Sequence, residues 1–178
     1  MRPSVIAFDV NETLSDLSPL GARFLEVGAS ASAAPLWFAC VLRDGFASLE
    51  LHADVANGID RLHEDGFRLI TLSNGAASLA DRLLTSGNVR DRFERLLSVE
   101  DAGAWKPAAR AYEYAAQECD VKPEDMLLVA VHPWDVHGAR RAGLRSAWVN
   151  RSGGAFPATF LEPTYTIAGV DQLAELWD

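Results

Sequence analysis

Short, continuous runs of apolar residues recur along this chain, and they limit its fold more than any other feature. The first run, "VIAF" at 5–8, is followed at once by an acid, Asp9. Continuous rather than alternating apolar runs are typical of parallel strands that are covered on both faces. The strands predicted in this way lie at 5–8, 68–72, 127–131 and 146–149, with weaker candidates at 96–98 and 165–167.

Segments with helical periodicity separate these strands. Val55, Ile59 and Leu62 share one helix face. Asp54 is expected as the N-cap of that helix and Gly66 as its stop. Further helices are predicted at 78–84, 108–118 and 133–142, with a last short one in the tail "GVDQLAELW". Strands that alternate with helices predict an α/β fold, a Rossmann-like open parallel sheet with right-handed crossovers.

One segment, residues 14–51, interrupts the alternation because it contains no candidate strand. It carries two amphipathic helical patterns, around 17–27 and 36–49. An insertion just after the first strand lies at the edge of the sheet where α/β folds bind ligands. We therefore expect residues 1–13 and 52–178 to form the α/β core, and residues 14–51 to form a small helical cap over a site.

The composition limits which binding partners and which cellular location we expect. The 178 residues fit one domain, and the net charge of −9 argues against nucleic acid or an anionic membrane, since both attract basic surfaces. No apolar stretch approaches the roughly 18 residues of a membrane span, and the first residues do not resemble a signal peptide. Cys40 and Cys119 stand outside any metal-binding or redox spacing, so we expect reduced thiols in a cytoplasmic protein.

Polar residues follow several of the predicted strands, and a parallel sheet would gather them at one edge. They are Asp9, Asn11 and Thr13 after the first strand, Ser73 and Asn74 after the second, Lys106 before a helix, and His132, Trp134 and Asp135 after the third strong strand. The sequence therefore predicts one crevice in which residues far apart in the chain meet.

The residue types in this crevice suit nucleophilic catalysis. A carboxylate such as Asp9 can attack carbon or phosphorus and form a covalent intermediate. Lys106 can hold negative charge beside it, and Asp135 can pair with Lys106 and help to activate a water. Ser73 and Asn74 offer hydrogen-bond donors to an anionic substrate. We expect the Lys106 ammonium to lie within ion-pair reach of both carboxylates.

The ordered set resembles the haloacid dehalogenase superfamily over nearly the whole chain. The resemblance implies Asp9 as the nucleophile and Ser73 as the hydroxyl of the second motif. It implies Lys106 as the lysine of the family and Asp135 as an acid of the fourth motif. Phosphatases of the superfamily carry a second aspartate where this chain has Asn11, which cannot exchange a proton at neutral pH. The fourth motif offers a single acid, so we expect no metal and no cofactor.

Within the superfamily, the chain resembles the 2-haloacid dehalogenase branch called type II. The shared features are "TLSNG" at 71–75, Tyr112 six residues after Lys106, and Trp134 next to Asp135. This resemblance implies a metal-independent hydrolase in which Asp9 displaces halide from C2 of an (S)-2-haloacid, and water then opens the aspartyl ester. It implies a small carboxylate substrate and a branch that commonly forms homodimers. The implied substrate-binding residues are Val10, Asn11, Thr13, Ser73, Asn74, Tyr112, Trp134 and Arg43.

Several points stay open at this stage. His132 stands where many members of the branch carry asparagine, and it either helps to place or deprotonate the attacking water or only packs over Trp134. Phe38 takes the place of an arginine that holds the leaving halide, and Arg43 is a candidate substitute. The insertion is also shorter than the usual cap of the branch. A magnesium-dependent phosphatase with an atypical first motif and a paralogue without turnover are the alternatives.

Overall fold

The main element of the fold is an open parallel sheet, seen in a computed structural model that describes residues 2–16 and 49–177. The strands are β1 (Val5–Phe8), β2 (Ser15–Asp16), β3 (Glu50–Leu51), β4 (Arg68–Ser73), β5 (Phe93–Ser98), β6 (Met126–Ala130), β7 (Arg145–Val149) and β8 (Tyr165–Ile167). The helices are α1 (Val55–Glu64), α2 (Ala77–Ser86), α3 (Val99–Ala102), α4 (Ala109–Glu118) and α5 (Pro133–Arg141). Short 3₁₀ turns lie at Arg90–Arg92, Pro123–Asp125, Val170–Gln172 and Ala174–Trp177.

Six strands form the sheet in the order β5-β4-β1-β6-β7-β8, and every pair is parallel. The predicted Rossmann-like parallel sheet is therefore confirmed. The chain builds outward from β1 through β4 to one edge, then returns to β6 on the other side of β1 and builds to the opposite edge. The carboxyl ends of β1 and β6 thus border the crevice at which such sheets bind ligands.

Side chains of β1 show how the two faces of the sheet are covered. Ile6 and Phe8 point into one apolar cluster, which includes the buried face of α1. Val5 and Ala7 point into the other cluster, which includes α4 and α5. All four residues are fully buried, as expected for a strand whose successive side chains alternate between two covered faces.

The predicted cap lies mostly outside the described residues. What the structure describes is its base, where β2 and β3 pair as an antiparallel ladder that joins residues 16 and 50. The two ends of the insertion therefore lie side by side at the carboxyl end of β1. Phe38, Cys40 and Arg43 lie outside the described residues, whereas Cys119 is a buried free thiol.

Two sequence predictions at α1 and the tail need correction. Asp54 stands at the N-cap position of α1, but its side chain makes no capping hydrogen bond. It accepts a hydrogen bond from the Val170 main chain instead. The tail was expected to form one short helix and forms 3₁₀ turns. A segment this short forms an α-helix poorly on its own. The tail packs tightly against α1, since a Cβ atom added to Gly58 of α1 would lie only 2.7 Å from the Val170 main chain.

None of the helices at 2–16 and 49–177 has the length and hydropathy of a membrane span.

Candidate active site

Asp9, Lys106 and Asp135 meet at the carboxyl end of the sheet, as the sequence predicts. The Lys106 ammonium lies 2.8 Å from Oδ1 of Asp9 and 2.6 Å from Oδ2 of Asp135. The expected ion-pair distances are therefore confirmed. The side chains of Lys106 and Asp135 are 0% exposed and that of Asp9 is 5% exposed. One buried cation is thus shared by two carboxylates, only one of which reaches the surface of the crevice.

Burial and mutual attraction oppose each other in this group. Burial alone would lower the pKa of Lys106, but Asp135 and Asp9 outweigh it and raise that pKa above its ordinary value. Burial raises the pKa of Asp135, an effect that Lys106 opposes and that the charge of Asp9 reinforces. Lys106 therefore stays charged at neutral pH, and it is the group that makes two neighbouring acids tolerable in the interior.

Tyr112 completes the environment of Asp135. Its hydroxyl donates to Oδ1 of Asp135 at 2.6 Å, so both oxygens of that carboxylate have a donor. Burial and the nearby Asp135 charge raise the pKa of Tyr112, which therefore remains a donor. Helices α4 and α5 approach closely here because of Gly138, where a Cβ would lie 2.5 Å from the Tyr112 hydroxyl. Tyr112 is fully buried against Asp135, and its predicted contact with substrate stays a prediction.

Thr13 and Val10 were also predicted to bind substrate, and the structure shows what their side chains contact. Thr13 is fully buried, and its hydroxyl donates to Oδ2 of Asp9 at 2.8 Å while accepting from the Val131 main chain. Its hydroxyl therefore orients the Asp9 carboxylate, and its predicted contact with substrate stays a prediction. The side chain of Val10 packs in the apolar core and its carbonyl accepts from Leu14 and Ser15. A substrate could therefore meet Val10 only through its main chain.

Ser73 and Asn74 lie at the end of β4, where the sequence places them. The amide of Asn74 accepts from the Lys106 main-chain N–H at 2.9 Å and donates to the Lys106 carbonyl at 3.3 Å. Asn74 thus fixes the loop that carries the lysine. The Ser73 hydroxyl accepts from the Gly75 N–H at 2.9 Å, which leaves its own proton as the donor predicted for an anion. We call Asp9, Thr13, Asn74, Lys106, Tyr112 and Asp135 the buried network.

A cavity of about 490 Å³ opens beside Asp9. It is lined by Asp9, Asn11, Glu12, Asn74, Gly75, Ala76, Leu79, Glu100, Trp105, His132 and Trp134. We call Glu12, Glu100, Trp105, His132 and Trp134 the cavity rim. The predicted positions of Asn11, His132 and Trp134 at this cavity are therefore met, and the His132 ring stacks on Trp134 at 5.3 Å between centroids. Arg43, predicted to hold an anion here, lies outside the described residues.

Two residues of the site escaped the sequence prediction. Glu12 has a left-handed backbone with φ of 59°, and its carboxylate lies 3.3 Å from Nε2 of His132. Arg151 follows β7, pairs with Asp54 at 2.7 Å and donates to the Thr13 carbonyl at 2.9 Å. A left-handed glutamate has no sequence signal. Arg151 lies in the glycine-rich segment "NRSGG" at 150–154, and this pattern predicts only a loop.

The side chains around Asp9 that could ligate a metal ion are relevant to whether this site binds one. Among the described residues, no group of three or more His, Cys, Asp or Glu side chains is arranged to hold a metal ion. Both oxygens of Asp135 already accept hydrogen bonds from Lys106 and Tyr112. Magnesium sites favour carboxylate oxygens that remain available to the ion. The prediction that this site works without a metal stays a prediction.

Known proteins resemble this chain in sequence and in fold. The family model for haloacid dehalogenase-like hydrolases matches residues 36–143. Haloacetate dehalogenase H-2 of Moraxella sp. (strain B) is 33% identical over 135 residues, which are 76% of this chain and 60% of that protein. An (S)-2-haloacid dehalogenase of Pseudomonas putida is 30% identical over 133 residues, 75% of this chain and 59% of that protein.

The chain thus spans about 60% of the length of the curated relatives that it matches. Among solved structures, the L-2-haloacid dehalogenase RSc1362 superposes with a TM-score of 0.88 at 20% identity, and the match covers 99% of each chain. This structural likeness supports the fold, while the sequence matches carry the family assignment.

Proposed function

The chain belongs to the haloacid dehalogenase-like hydrolases, and we propose that it is a metal-independent (S)-2-haloacid dehalogenase that acts through an aspartyl ester. The observation that carries the proposal is the shared lysine: Lys106 holds Asp9 at the cavity, and Tyr112 and Lys106 occupy both oxygens of Asp135. Asn11 stands where a phosphatase would need an acid. The named activities of the curated relatives support the same reaction.

In the proposed first step, a carboxylate oxygen of Asp9 attacks C2 of the haloacid. The new C–O bond forms as the carbon–halogen bond breaks, and halide leaves with the electron pair and without a proton. Asn11 is therefore no handicap, since no leaving group has to be protonated. Thr13 and Lys106 orient Asp9 from inside the fold. We assign the anchoring of the substrate carboxylate to the Ser73 hydroxyl, whose proton is available to an anion. We assign the holding of the leaving halide to Arg43.

In the second step, water attacks the carbonyl carbon of the Asp9 ester. The bond between that carbon and the bridging ester oxygen breaks. The 2-hydroxyacid leaves with the original Asp9 oxygen and with inverted C2, and the Asp9 carboxylate is restored with an oxygen from water. The sum is one water consumed, and one halide and one proton released. Thr13 and Lys106 already hold the two oxygens of Asp9 before the reaction, so the carboxylate is preorganised for attack.

The proposal extends to the setting of the protein. We place it in the cytoplasm, consistent with the buried free thiol of Cys119. We also propose a homodimer in which a second copy covers the short insertion. Light scattering coupled to size-exclusion chromatography measures the mass of the particle in solution. A monomer at micromolar concentration would contradict the proposed homodimer.

Halide release tests the reaction. The protein is incubated with (S)-2-chloropropionate and EDTA, with Asp9→Asn as the matched variant and the (R) enantiomer as the stereochemical control. We expect release from the (S) acid only, and none from the variant. If the wild-type protein released no more halide than Asp9→Asn, the proposed dehalogenase activity would be rejected. Magnesium-dependent hydrolysis of an aryl phosphate would favour the phosphatase, and no turnover at all would favour the inactive paralogue.

Labelled water tests the covalent step. With enzyme in excess over substrate in H₂¹⁸O, the first product should carry oxygen from Asp9 and the label should enter the Asp9 carboxylate. Peptide mass spectrometry locates that label. If the label appeared in the product of a single turnover, water would attack C2 directly and the ester would be excluded.

A further inference from the structure

The cavity beside Asp9 is rich in negative charge. Three carboxylates line it, those of Asp9, Glu12 and Glu100, and no lysine or arginine among the described residues does. The Lys106 ammonium is 0% exposed, so it neutralises Asp9 from inside the fold and does not reach the cavity. A molecule that enters therefore meets acidic walls, and the described part of the chain offers it only the His132 imidazole as a group that can carry positive charge.

The three carboxylates differ in their partners. Asp9 is paired with Lys106 at 2.8 Å, and Oε2 of Glu12 lies 3.3 Å from Nε2 of His132. Glu100 is exposed, and within residues 2–16 and 49–177 its carboxylate makes no hydrogen bond or ion pair. Its charge is therefore not offset by a neighbouring group, and it acts on whatever lies in the cavity.

The position of Glu100 is fixed through its main chain. It lies in α3, and its N–H donates to the Ser98 hydroxyl at 3.2 Å, at the end of β5. Helix α3 ends at Gly103, which has a left-handed backbone with φ of 61°, and the chain continues to Lys106. The segment that carries the buried lysine to Asp9 thus also places Glu100 on the cavity wall.

A second negative charge on a substrate would be repelled in this cavity. The carboxylate on C1 has the Ser73 hydroxyl as its proposed partner, whereas a carboxylate on the C2 substituent would share the cavity with Glu100. Like charges a few ångströms apart at a partly exposed site weaken binding by about tenfold or more. An uncharged group of the same size is not repelled, and it can pack on the indole of Trp105, which lines the same cavity.

Building on the proposed function, we infer that Glu100 determines which haloacids the enzyme accepts. It admits acids whose only negative charge is the C1 carboxylate, and it excludes 2-halodicarboxylates. Glu12 adds less to this selection because the His132 imidazole lies beside it. The repulsion acts on the free substrate as it enters and persists in the transition state, so the selection is measured in kcat/KM.

Two substrates of equal size test this inference. (S)-2-chlorosuccinate carries a second carboxylate, and its C4 amide has an uncharged group of the same shape in that place; (S)-2-chloropropionate is the reference. Halide release gives kcat/KM for each acid in the wild type, in Glu100→Gln and in Glu100→Lys, after subtraction of the release by Asp9→Asn. Asp101→Asn is the matched control, since Asp101 follows Glu100 in the first turn of α3 and does not line this cavity.

We expect the wild type to prefer the amide over the dicarboxylate by about 100-fold. Glu100→Gln should reduce this preference about tenfold, and Glu100→Lys about 100-fold. In the wild type the preference should also shrink when sodium sulfate raises the ionic strength, because salt screens exposed charges. Asp101→Asn should change the preference by less than about twofold, since its charge lies outside the cavity.

A purely structural role for Glu100, as an acid in the first turn of a helix, would change kcat/KM for all three acids in the same proportion, and that result would overturn the inference. An equal preference in the wild type and Glu100→Gln, or the same shift in Asp101→Asn, would overturn it as well. If the wild type released halide from (S)-2-chloropropionate but from neither larger acid, Glu100→Lys would have to gain activity on the dicarboxylate, and its failure to do so would reject the role of Glu100. A wild type that releases no halide from (S)-2-chloropropionate fails at the proposed function, which is a separate outcome.

Discussion

The buried network includes Asp9, and the cavity rim lines the cavity beside it. The two regions differ in how fully their polar atoms are paired in hydrogen bonds. In the network, Lys106 and Asp135 are fully buried, and each has partners at 2.6–2.8 Å. On the rim, Trp105 is 66% exposed, and the side chains of Glu12 and His132 are 48% and 27% exposed with one contact of 3.3 Å between them.

This difference indicates that the buried network positions Asp9, whereas the cavity rim is available to interact with substrate and water. A buried polar group without a partner costs free energy, so the interior of the site is saturated with hydrogen bonds and fixes the position of Asp9. Groups at the rim keep unused donor and acceptor capacity, which a substrate or a water can use. Substitutions in the network should therefore change stability and turnover together, whereas substitutions on the rim should change turnover alone.

The largest effect is expected from Lys106→Met. Removing the cation leaves two acids facing each other in the interior, and breaking a buried ion pair in this way costs about 3–5 kcal/mol. We expect turnover to fall about 10³-fold as well, since an electrostatic partner of the nucleophile is lost. Urea unfolding and halide release measure the two effects. Lys122→Met, an exposed lysine, is the control, and a Lys106→Met protein of wild-type stability would break the comparison.

Tyr112→Phe should have a smaller effect on the same network. It leaves Oδ1 of Asp135 buried without its donor at 2.6 Å, which costs about 1–3 kcal/mol in the free energy of unfolding. Turnover should fall less than in Lys106→Met because the ion pairs persist. Tyr114→Phe makes the same change on the same helix outside the network. Equal stability losses in the two variants would mean that the Asp135 contact contributes nothing.

A pair of intermediate burial, Asp54 with Arg151, sharpens the comparison through pH. Burial alone would raise the pKa of Asp54, but Arg151 and the Val170 N–H outweigh it and lower that pKa below its ordinary value. Folding therefore gains stability from ionised Asp54 above its unfolded pKa of about 3.9, and this gain disappears as the pH falls through the lower, folded pKa.

We expect Asp54→Asn to lose about 1–2 kcal/mol at pH 7, a figure reduced for solvent screening because both side chains are about one fifth exposed. The difference from wild type should shrink as the pH falls below 3.9. Unfolding in urea across pH measures this. Asp81→Asn breaks an exposed pair and should show a loss under about 1 kcal/mol. A pH-independent deficit in Asp54→Asn would show that packing, not charge, is responsible.

The smallest stability change is expected on the rim, from Trp105→Ala. With the ring mostly in solvent, the free energy of unfolding should change by less than about 0.5 kcal/mol. The KM for a 2-haloacid should rise, because the indole lines the cavity. Thermal unfolding and steady-state kinetics check both. A loss of stability as large as that of Tyr112→Phe would remove the distinction between the two regions.

The sequence was a good guide to what lies at the ends of strands and a poor guide to where side chains turn. Asp9 follows an apolar run, and the parallel arrangement of such runs brought Lys106 and Asp135 to it as predicted. Thr13 and Tyr112 were predicted to meet substrate and are buried. Each has a polar tip, and whether that tip faces a ligand or a carboxylate depends on packing, such as the close approach at Gly138.

The amino-acid sequence by itself determined the parallel sheet and the set of residues at its carboxyl edge, because burial on both faces requires continuous apolar runs and leaves polar residues only where they stop. The tertiary structure alone decided the partners. Asn74 fixes the main chain of Lys106, and Arg151 reaches Thr13 across 138 positions of the chain. Hydrogen bonds depend on distances of a few ångströms between groups that folding brings together, and no local pattern in the sequence encodes those distances.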